Sequence, residues 1–315
     1  MKESVAAAAD ISSEVYAGIV SEMTSSDSEV QAILDQVLEI RGKAVRPLFM
    51  AMVASLMDGR WAAVRYAAVI VEAIHLASLL HDDVLDGSDL RRGVETINAR
   101  YSDKVSVLTG DFIVIRAIRM AQAHHNPEVL KTVLQSVERM VNGEIRDSLV
   151  TGVIDEDTYL SIVGDKTASL FAASGELAVM LSGGSPKEVL WGRELGEHVG
   201  MAFQIVDDTL DYRGDLNTLG KPGLMDARAG RMTLPLIHSL RNYAPELIEK
   251  LLGDMAGKAG ELSTLVAGQG GIGYALGRAG DYLDNARKVA RRFNGNRDAL
   301  DSLDDFFDVL VAREY

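Results

Sequence analysis

The sequence predicts an all-α, single-domain helical bundle with a central cavity. Its 315 residues contain only six prolines, at positions 47, 127, 186, 222, 235 and 245. The long Pro-free intervals are rich in Ala, Leu, Val and Glu, with apolar residues recurring at i, i+3 and i+4. Strand-like alternation is scarce: FIVIRAI at 112–118 is β-prone but lies in a helical context.

The periodicity places helices at 61–86, 105–125, 127–150, 155–181 and 186–212. Proline opens two of them, in the first turn, where the missing N–H costs nothing. The intervening loops fall at 86–92, 182–185 and 213–231, the last holding Gly214, Gly220, Gly223 and Gly230. From Ala244 onward the chain reads as helices packed around the core. Its GQGGIGYALGRAG run is no phosphate loop, because it lacks the Gly-Lys-Ser/Thr ending. No linker or composition break divides residues 1–315.

Hydrophobic residues make up 47% of the chain and mean hydropathy is +0.06, as expected for a globular protein with a sizeable core. A net charge of −14 excludes a nucleic-acid surface, which needs a basic face. It leaves room for an anionic small substrate, since metal ions and a few Lys/Arg can reverse the field locally. With no cysteine there are no disulfides or thiolate metal sites, in keeping with a reducing compartment. The N-terminus lacks the basic-then-apolar order of a signal peptide. The most apolar stretch, YAAVIVEAIHLASLL, is interrupted by Glu72 and His75, so no membrane span is expected and a cytoplasmic location is.

The chemistry centres on Asp-Asp-x-Leu-Asp, which occurs at Asp82, Asp83, Asp86 and again at Asp207, Asp208, Asp211. Each copy ends an apolar helical run, HLASLLHDDVLD and GMAFQIVDDTLD, so helical spacing gathers its carboxylates near one face. One such cluster alone is more often a solvated helix end. Two clusters, each followed by basic residues, suggest magnesium held by oxygen ligands and completed by phosphate. Arg91 and Arg92 follow the first copy; Lys221 and Arg231 follow the second. Arg and Lys donate to phosphate oxygens, so carboxylate, metal and base together make an anion site. Lys43 and Arg46 are three residues apart and, with His75 and Arg92, could form a second anion pocket without metal. His81 is placed as support to its neighbours; with His75 alone it makes no zinc site.

GKAVRP, EAIHLASLLHDDVLDGSDLRRG, LTGDF, DKTASLF, GMAFQIVDDTLDY and GKPGLMDARAGRMTLP occur in the order found in trans-isoprenyl (polyprenyl) diphosphate synthases. The chain resembles that family over about residues 42–235. The resemblance implies the isoprenoid-synthase type of helical bundle, a homodimer, and head-to-tail joining of isopentenyl diphosphate to an allylic diphosphate. It implies magnesium, three ions per site with substrate bound, with Asp82, Asp86 and Asp207 as bridging ligands. Asp83 and Asp211 are implied as outer or part-time ligands, and Asp208 has no firm role. Arg91, Lys166, Lys221 and Arg231 would contact the allylic diphosphate. Lys43, Arg46, His75 and Arg92 would hold isopentenyl diphosphate. Thr167 and Gln204 would place dipoles near the developing cation, with Lys166 beside them.

Five positions depart from the family pattern. Arg41 stands for a glycine, Ala44 for a frequent arginine, Asp147 for a glutamine three residues after Glu144, and Arg231 for a lysine. Thr96-Ile97-Asn98 lacks a histidine often found there. Product length should depend on Val71, Ile74, Ala77 and Ser78 below the first Asp motif, with Val137 and Met140 as candidate floor residues. Short-chain relatives usually carry a large aromatic at the position of Ala77 or Ser78. Both are small here, so the expected product exceeds fifteen carbons and is of medium or long chain. The alternative product is C20, geranylgeranyl diphosphate. A terpene cyclase would mix Asn, Ser and Glu in its second motif and lack the GKAVRP pocket. A non-catalytic subunit of a heteromeric synthase would commonly have lost one Asp motif.

Overall fold

The computed structural model describes residues 2–150, 152–213, 224–253, 255, 257–293, 295 and 297–312. The chain divides into two compact units. The first comprises Met1–Val137, Ala173–Arg193 and Phe293–Ala299; the second comprises Glu138–Ala172, Glu194–Arg292 and Leu300–Tyr315. All elements are helical except one small hairpin among the described residues.

The first unit is built on α4 (Trp61–Leu85), whose residues Ala67 to Ile74 are buried in an unbroken run. Around it pack α1 (Lys2–Glu22), α3 (Val45–Leu56) and α6 (Asp103–Ala123). α1 turns Val15, Tyr16 and Ile19 inward, and Met23 just past its end is buried too. α4 is long and apolar enough to cross a membrane by length and composition, but 67% of its most apolar window is buried in the fold. α2 (Ser28–Val37) is capped by Asp27, whose side chain accepts from the Glu29 and Val30 N–H groups. α1, α2 and α3 lie ahead of the first helix expected from periodicity, at 61–86. Close helix contacts rest on glycine: a β-carbon on Gly110 of LTGDF would stand within van der Waals overlap of the His81 ring.

The expected loop 86–92 contains a strand. β1 (Leu90–Arg91) pairs antiparallel with β2 (Val94–Glu95), joined by Arg92 and Gly93 with φ of 53° and 77°. Two residues of positive φ make the tight reversal that suits strand twist, usually built from Asn-Gly or Asp-Gly. An Arg-Gly pair carries no such signature. α5 (Ile97–Arg100) follows, capped by Thr96.

In the second unit α7 (Pro127–Leu149) contributes its C-terminal half and α10 (Pro186–Arg213) its part from Glu194 onward. The expected helix 155–181 resolves into α8 (Glu156–Val163), a π-helical turn at Gly164–Ala168, and α9 (Ser169–Leu181). This turn lies against α7 at Gly143, where an added β-carbon would stand 2.5 Å from the Lys166 backbone nitrogen. Single π turns inside helices recur at functional sites, and this one carries Lys166 and Thr167. The expected loop 213–231 contains a short helix, α11 (Met225–Arg228). Beyond it the helices Leu234–Leu240, Pro245–Leu252, Ala259–Gly268 and Gly271–Ala290 follow; the first three share a core of Leu236, Leu240, Leu251, Leu262 and Val266.

Candidate active site

In the first unit α4 carries Glu72, His75, Asp82 and Asp83, with Asp86 as its C-cap; counted from Glu72, each falls within about one residue of a multiple of 3.6, on one stripe. Asp83 is 2% exposed, and its Oδ1 accepts from Arg91 Nε at 2.8 Å and from Arg91 NH2 at 2.7 Å. That pair fastens the β hairpin to the end of α4. Ser88 N–H donates to the Asp83 carbonyl at 2.9 Å, and the Asn98 amide donates to the Ser88 carbonyl at 3.1 Å. Thr96 Oγ1 donates to that same carbonyl at 2.7 Å. Thr96 and Asn98, in the segment that lacks the histidine, thus brace the hairpin. Asp82 is half-buried and Asp86 exposed.

Of the second anion pocket expected from sequence, Arg46 and Arg92 lie near His75 in the same unit. Burial pushes the His75 pKa well below the ordinary histidine range, and the charges of Arg46, Arg92 and Arg91 push it further. His75 is therefore neutral near pH 7, a hydrogen-bond donor and acceptor among three guanidinium groups. Arg46 is buried; Lys43 and Arg92 are exposed. Gly42 makes room for Arg92: a β-carbon there would stand 3.0 Å from its NH1. Ala44, at the start of α3, and Arg92 both adopt left-handed backbone, at φ of 45° and 53°. Such conformations cost of order 1 kcal/mol or more outside glycine and cluster at functional sites.

The second unit holds a cavity of about 150 Å³ lined by Asp147, Tyr159, Lys166, Thr167, Gln204, Asp207, Asp208, Asp226 and Arg231, with Ile154, Ile162, Val163, Met232 and Thr233. The structure thus brings Lys166, Thr167, Gln204, Asp207 and Arg231 to one cavity. Thr167 donates to Gln204 Oε1 at 2.8 Å, and Gln204 Nε2 donates to Asp208 Oδ1 at 2.7 Å. Tyr159 donates to Asp208 Oδ2 at 2.6 Å. Asp208 is 6% exposed, and its pKa is raised well above the usual carboxylate range by burial and by Asp226. Asp208, its role open in the sequence, thus accepts from both Gln204 and Tyr159. Asp207, by contrast, is exposed.

Lys166 Nζ sits between Asp147 Oδ2 at 2.7 Å and Glu144 Oε2 at 2.8 Å. Burial lowers its pKa, but the two carboxylates win and raise it, so the ammonium stays charged. Asp211 accepts the N–H groups of Met225 and Asp226, both at 2.8 Å, and so anchors the first turn of α11. Asp226 in turn receives Arg231 NH1 at 3.3 Å. Lys221 lies outside the described residues. Tyr159 and Asp226 escaped the sequence reading; Asp226 lies inside the quoted GKPGLMDARAGRMTLP motif. Of the chain-length candidates, Val71, Ile74 and Ala77 are buried, and Ser78 donates to the His75 carbonyl at 2.8 Å. Val137 and Met140 are half-buried.

Among the described residues no three His, Asp or Glu side chains converge closely enough to hold a metal by themselves. Asp82 and Asp86 in the first unit, and Asp207 in the second, are each oxygen donors of the kind magnesium takes, an ion that keeps several waters and is completed by substrate phosphates. They suit an ion that arrives with its substrate.

The polyprenyl synthetase family model matches residues 27–267. The chain belongs to that family. It is 35% identical over 234 residues to octaprenyl diphosphate synthase of Escherichia coli (strain K12), covering 74% of this chain and 72% of that one. It is 33% identical over 274 residues to nonaprenyl diphosphate synthase of Mycobacterium tuberculosis, covering 84% and 82%. A polyprenyl synthase from Caulobacter crescentus CB15, solved with calcium and isoprenyl diphosphate, matches with a TM-score of 0.91 at 31% identity, covering 100% of this chain and 98% of that one. As a member of the polyprenyl synthetase family the chain is a prenyltransferase with the family's all-helical fold.

Proposed function

We propose that the protein condenses isopentenyl diphosphate head-to-tail with an allylic diphosphate and releases an all-trans polyprenyl diphosphate longer than C15. The observation that carries this reading is the content of α4. One helix presents a metal-free cationic pocket around His75 and, two turns or about 10 Å further along, an aspartate motif suited to magnesium. Two diphosphates bound by different chemistry are what a condensation of this kind needs. A relative named octaprenyl and another named nonaprenyl diphosphate synthase support a product of medium or long chain.

Asp82, Asp86 and Asp207 would hold magnesium, up to three ions with substrate bound, and magnesium supplies neutralisation of the departing diphosphate. Arg91, Lys166, Lys221 and Arg231 add direct donors to the allylic diphosphate. Lys166 is ion-paired beforehand, so it exchanges a carboxylate for a phosphate oxygen, while Arg91 keeps Asp83 and offers its remaining N–H groups. The Thr167–Gln204 pair, fixed by Asp208, faces the reacting end with dipoles already oriented, at little reorganisation cost. Lys43, Arg46, Arg92 and His75 hold isopentenyl diphosphate so that its alkene meets the cation at short range. The proton lost at the end goes to the released diphosphate, so no protein base is required.

A homodimer is part of the proposal. On α7 the exposed apolar residues Leu134, Val141, Ile145 and Leu149 fall at i, i+7, i+11 and i+15, one face of the helix. On α6, Leu108 and Ile115 are likewise exposed and seven residues apart. Faces of that kind suit a partner.

Incubation of the purified protein with farnesyl diphosphate, isopentenyl diphosphate and magnesium tests the reading. Elongation that a chelator abolishes and added magnesium restores is the expected result. No elongation by the protein alone would favour a subunit that needs a partner.

A further inference from the structure

Tyr16 on α1 reaches the His75 pocket from outside the matched stretch, residues 27–267. It is 3% exposed, and its hydroxyl serves two segments at once. It accepts the Gly42 backbone N–H at 2.6 Å and donates to Glu72 Oε1 at 3.3 Å. Its pKa is pushed up to about 12, first by burial and then by Glu72, so the hydroxyl keeps its proton and remains a donor. Arg41, which stands for a family glycine, lies with its guanidinium 5.9 Å from the centre of the Tyr16 ring.

Glu72 is 3% exposed, one turn before His75 on α4, and its Oε2 is buried without a hydrogen-bond partner. A carboxylate in that place needs a reason, because burying one without compensation is costly. Compensation comes from Arg46 first, then the Tyr16 hydrogen bond and Arg92, which oppose the effect of burial on its pKa. The pocket assembles several cations before any anion arrives. Burial still wins and raises the Glu72 pKa, and Tyr16 is the donor that meets its Oε1 directly.

We propose that Tyr16 and Glu72 are positioning residues of the isopentenyl diphosphate pocket. Glu72 holds Arg46 and Arg92 ready for the diphosphate, and Tyr16 ties Glu72 to the Gly42–Lys43 segment, so that both walls keep one register. The proposal rests on the functional reading above, in which this pocket takes isopentenyl diphosphate.

Isopentenyl diphosphate is titrated calorimetrically into wild type, Tyr16→Phe, Glu72→Gln and the double variant, and steady-state constants are measured with farnesyl diphosphate as primer. Tyr16→Phe keeps the ring and is expected to weaken isopentenyl diphosphate binding about three- to tenfold, the net worth of one hydrogen bond. Its KM for isopentenyl diphosphate should rise alike, while kcat and the KM for the primer move by less than about twofold. Glu72→Gln should show the same selectivity with a larger loss, and the double variant should be no worse than Glu72→Gln, the mark of one coupled unit. Unfolding midpoints check that each variant folds, and Tyr16→Phe carries the test if Glu72→Gln does not. Unchanged isopentenyl diphosphate affinity, or equal losses for both substrates, overturns the proposal. Wild type that binds isopentenyl diphosphate but elongates nothing overturns the functional reading alone; wild type that fails to bind it overturns both.

Discussion

Asp83 and Asp208 occupy the same place in their motifs, and the fold uses them alike. Each is buried, one against Arg91 and the other between Tyr159 and Gln204. The middle aspartate thus shapes the site, leaving Asp82, Asp86 and Asp207 better placed for ions. Spacing alone showed that the carboxylates cluster, but their division of labour depends on partners far apart in sequence, such as Tyr159. Asp147 is a second case. It shares Lys166 with Glu144, so a neutral glutamine there would remove one competitor for the ammonium. Asp147→Gln should lower the KM for the allylic diphosphate by about threefold, or ~0.7 kcal/mol, since the pair is partly exposed and screened. Steady-state kinetics with varied primer checks it. His75 allows a prediction in pH. Its folded pKa is depressed, so its contribution to stability is complete above about pH 6.5 and is lost as pH falls below that. Denaturant unfolding of His75→Gln should show a shallower acid slope, by at most ~1.4 kcal/mol per pH unit. His198 and His238, also depressed first by burial, keep part of the slope.

At the scale of elements, long apolar periodicity was the readable signal: α4, α6, α7 and α10 lie within a few residues of their expected bounds. Three features were hidden for physical reasons. The hairpin turns on Arg92 in a conformation that favours Asn or Gly, so no turn signature announced it. The π turn depends on a close approach at Gly143, which sequence periodicity does not register. The His75 pocket depends on α1, where Tyr16 looks like any core aromatic. Glu72 was legible in principle, as a charge three residues before His75 on an otherwise buried face. α4 also carries the chain-length prediction. Ala77→Phe fills the space below the first motif and should shift products to shorter chains, read by thin-layer separation of the dephosphorylated lipids. An unchanged distribution would sink the tunnel assignment. Overpacking of ~1–3 kcal/mol, seen as a lower unfolding midpoint, would show instead that Ala77 faces packed core.

For the whole molecule, the all-α class followed from few prolines and apolar periodicity, and the family from motif order over residues 42–235; the family match extends on both sides of that stretch. Association was only implied, because an exposed apolar face becomes visible only once the fold has decided what is buried. Ile145→Asp places a charge on the exposed stripe of α7, 52% exposed at that residue, and so should leave the subunit folded. Sedimentation should then show monomer where wild type is dimer; a dimer in both would move the interface elsewhere. The central claim is that this chain by itself elongates a primer past C15. Its most direct measurement is product length from radiolabelled isopentenyl diphosphate, farnesyl diphosphate and magnesium with the purified protein alone. The account predicts a ladder ending at a medium- or long-chain all-trans product, and recovery of unextended farnesyl diphosphate would contradict it.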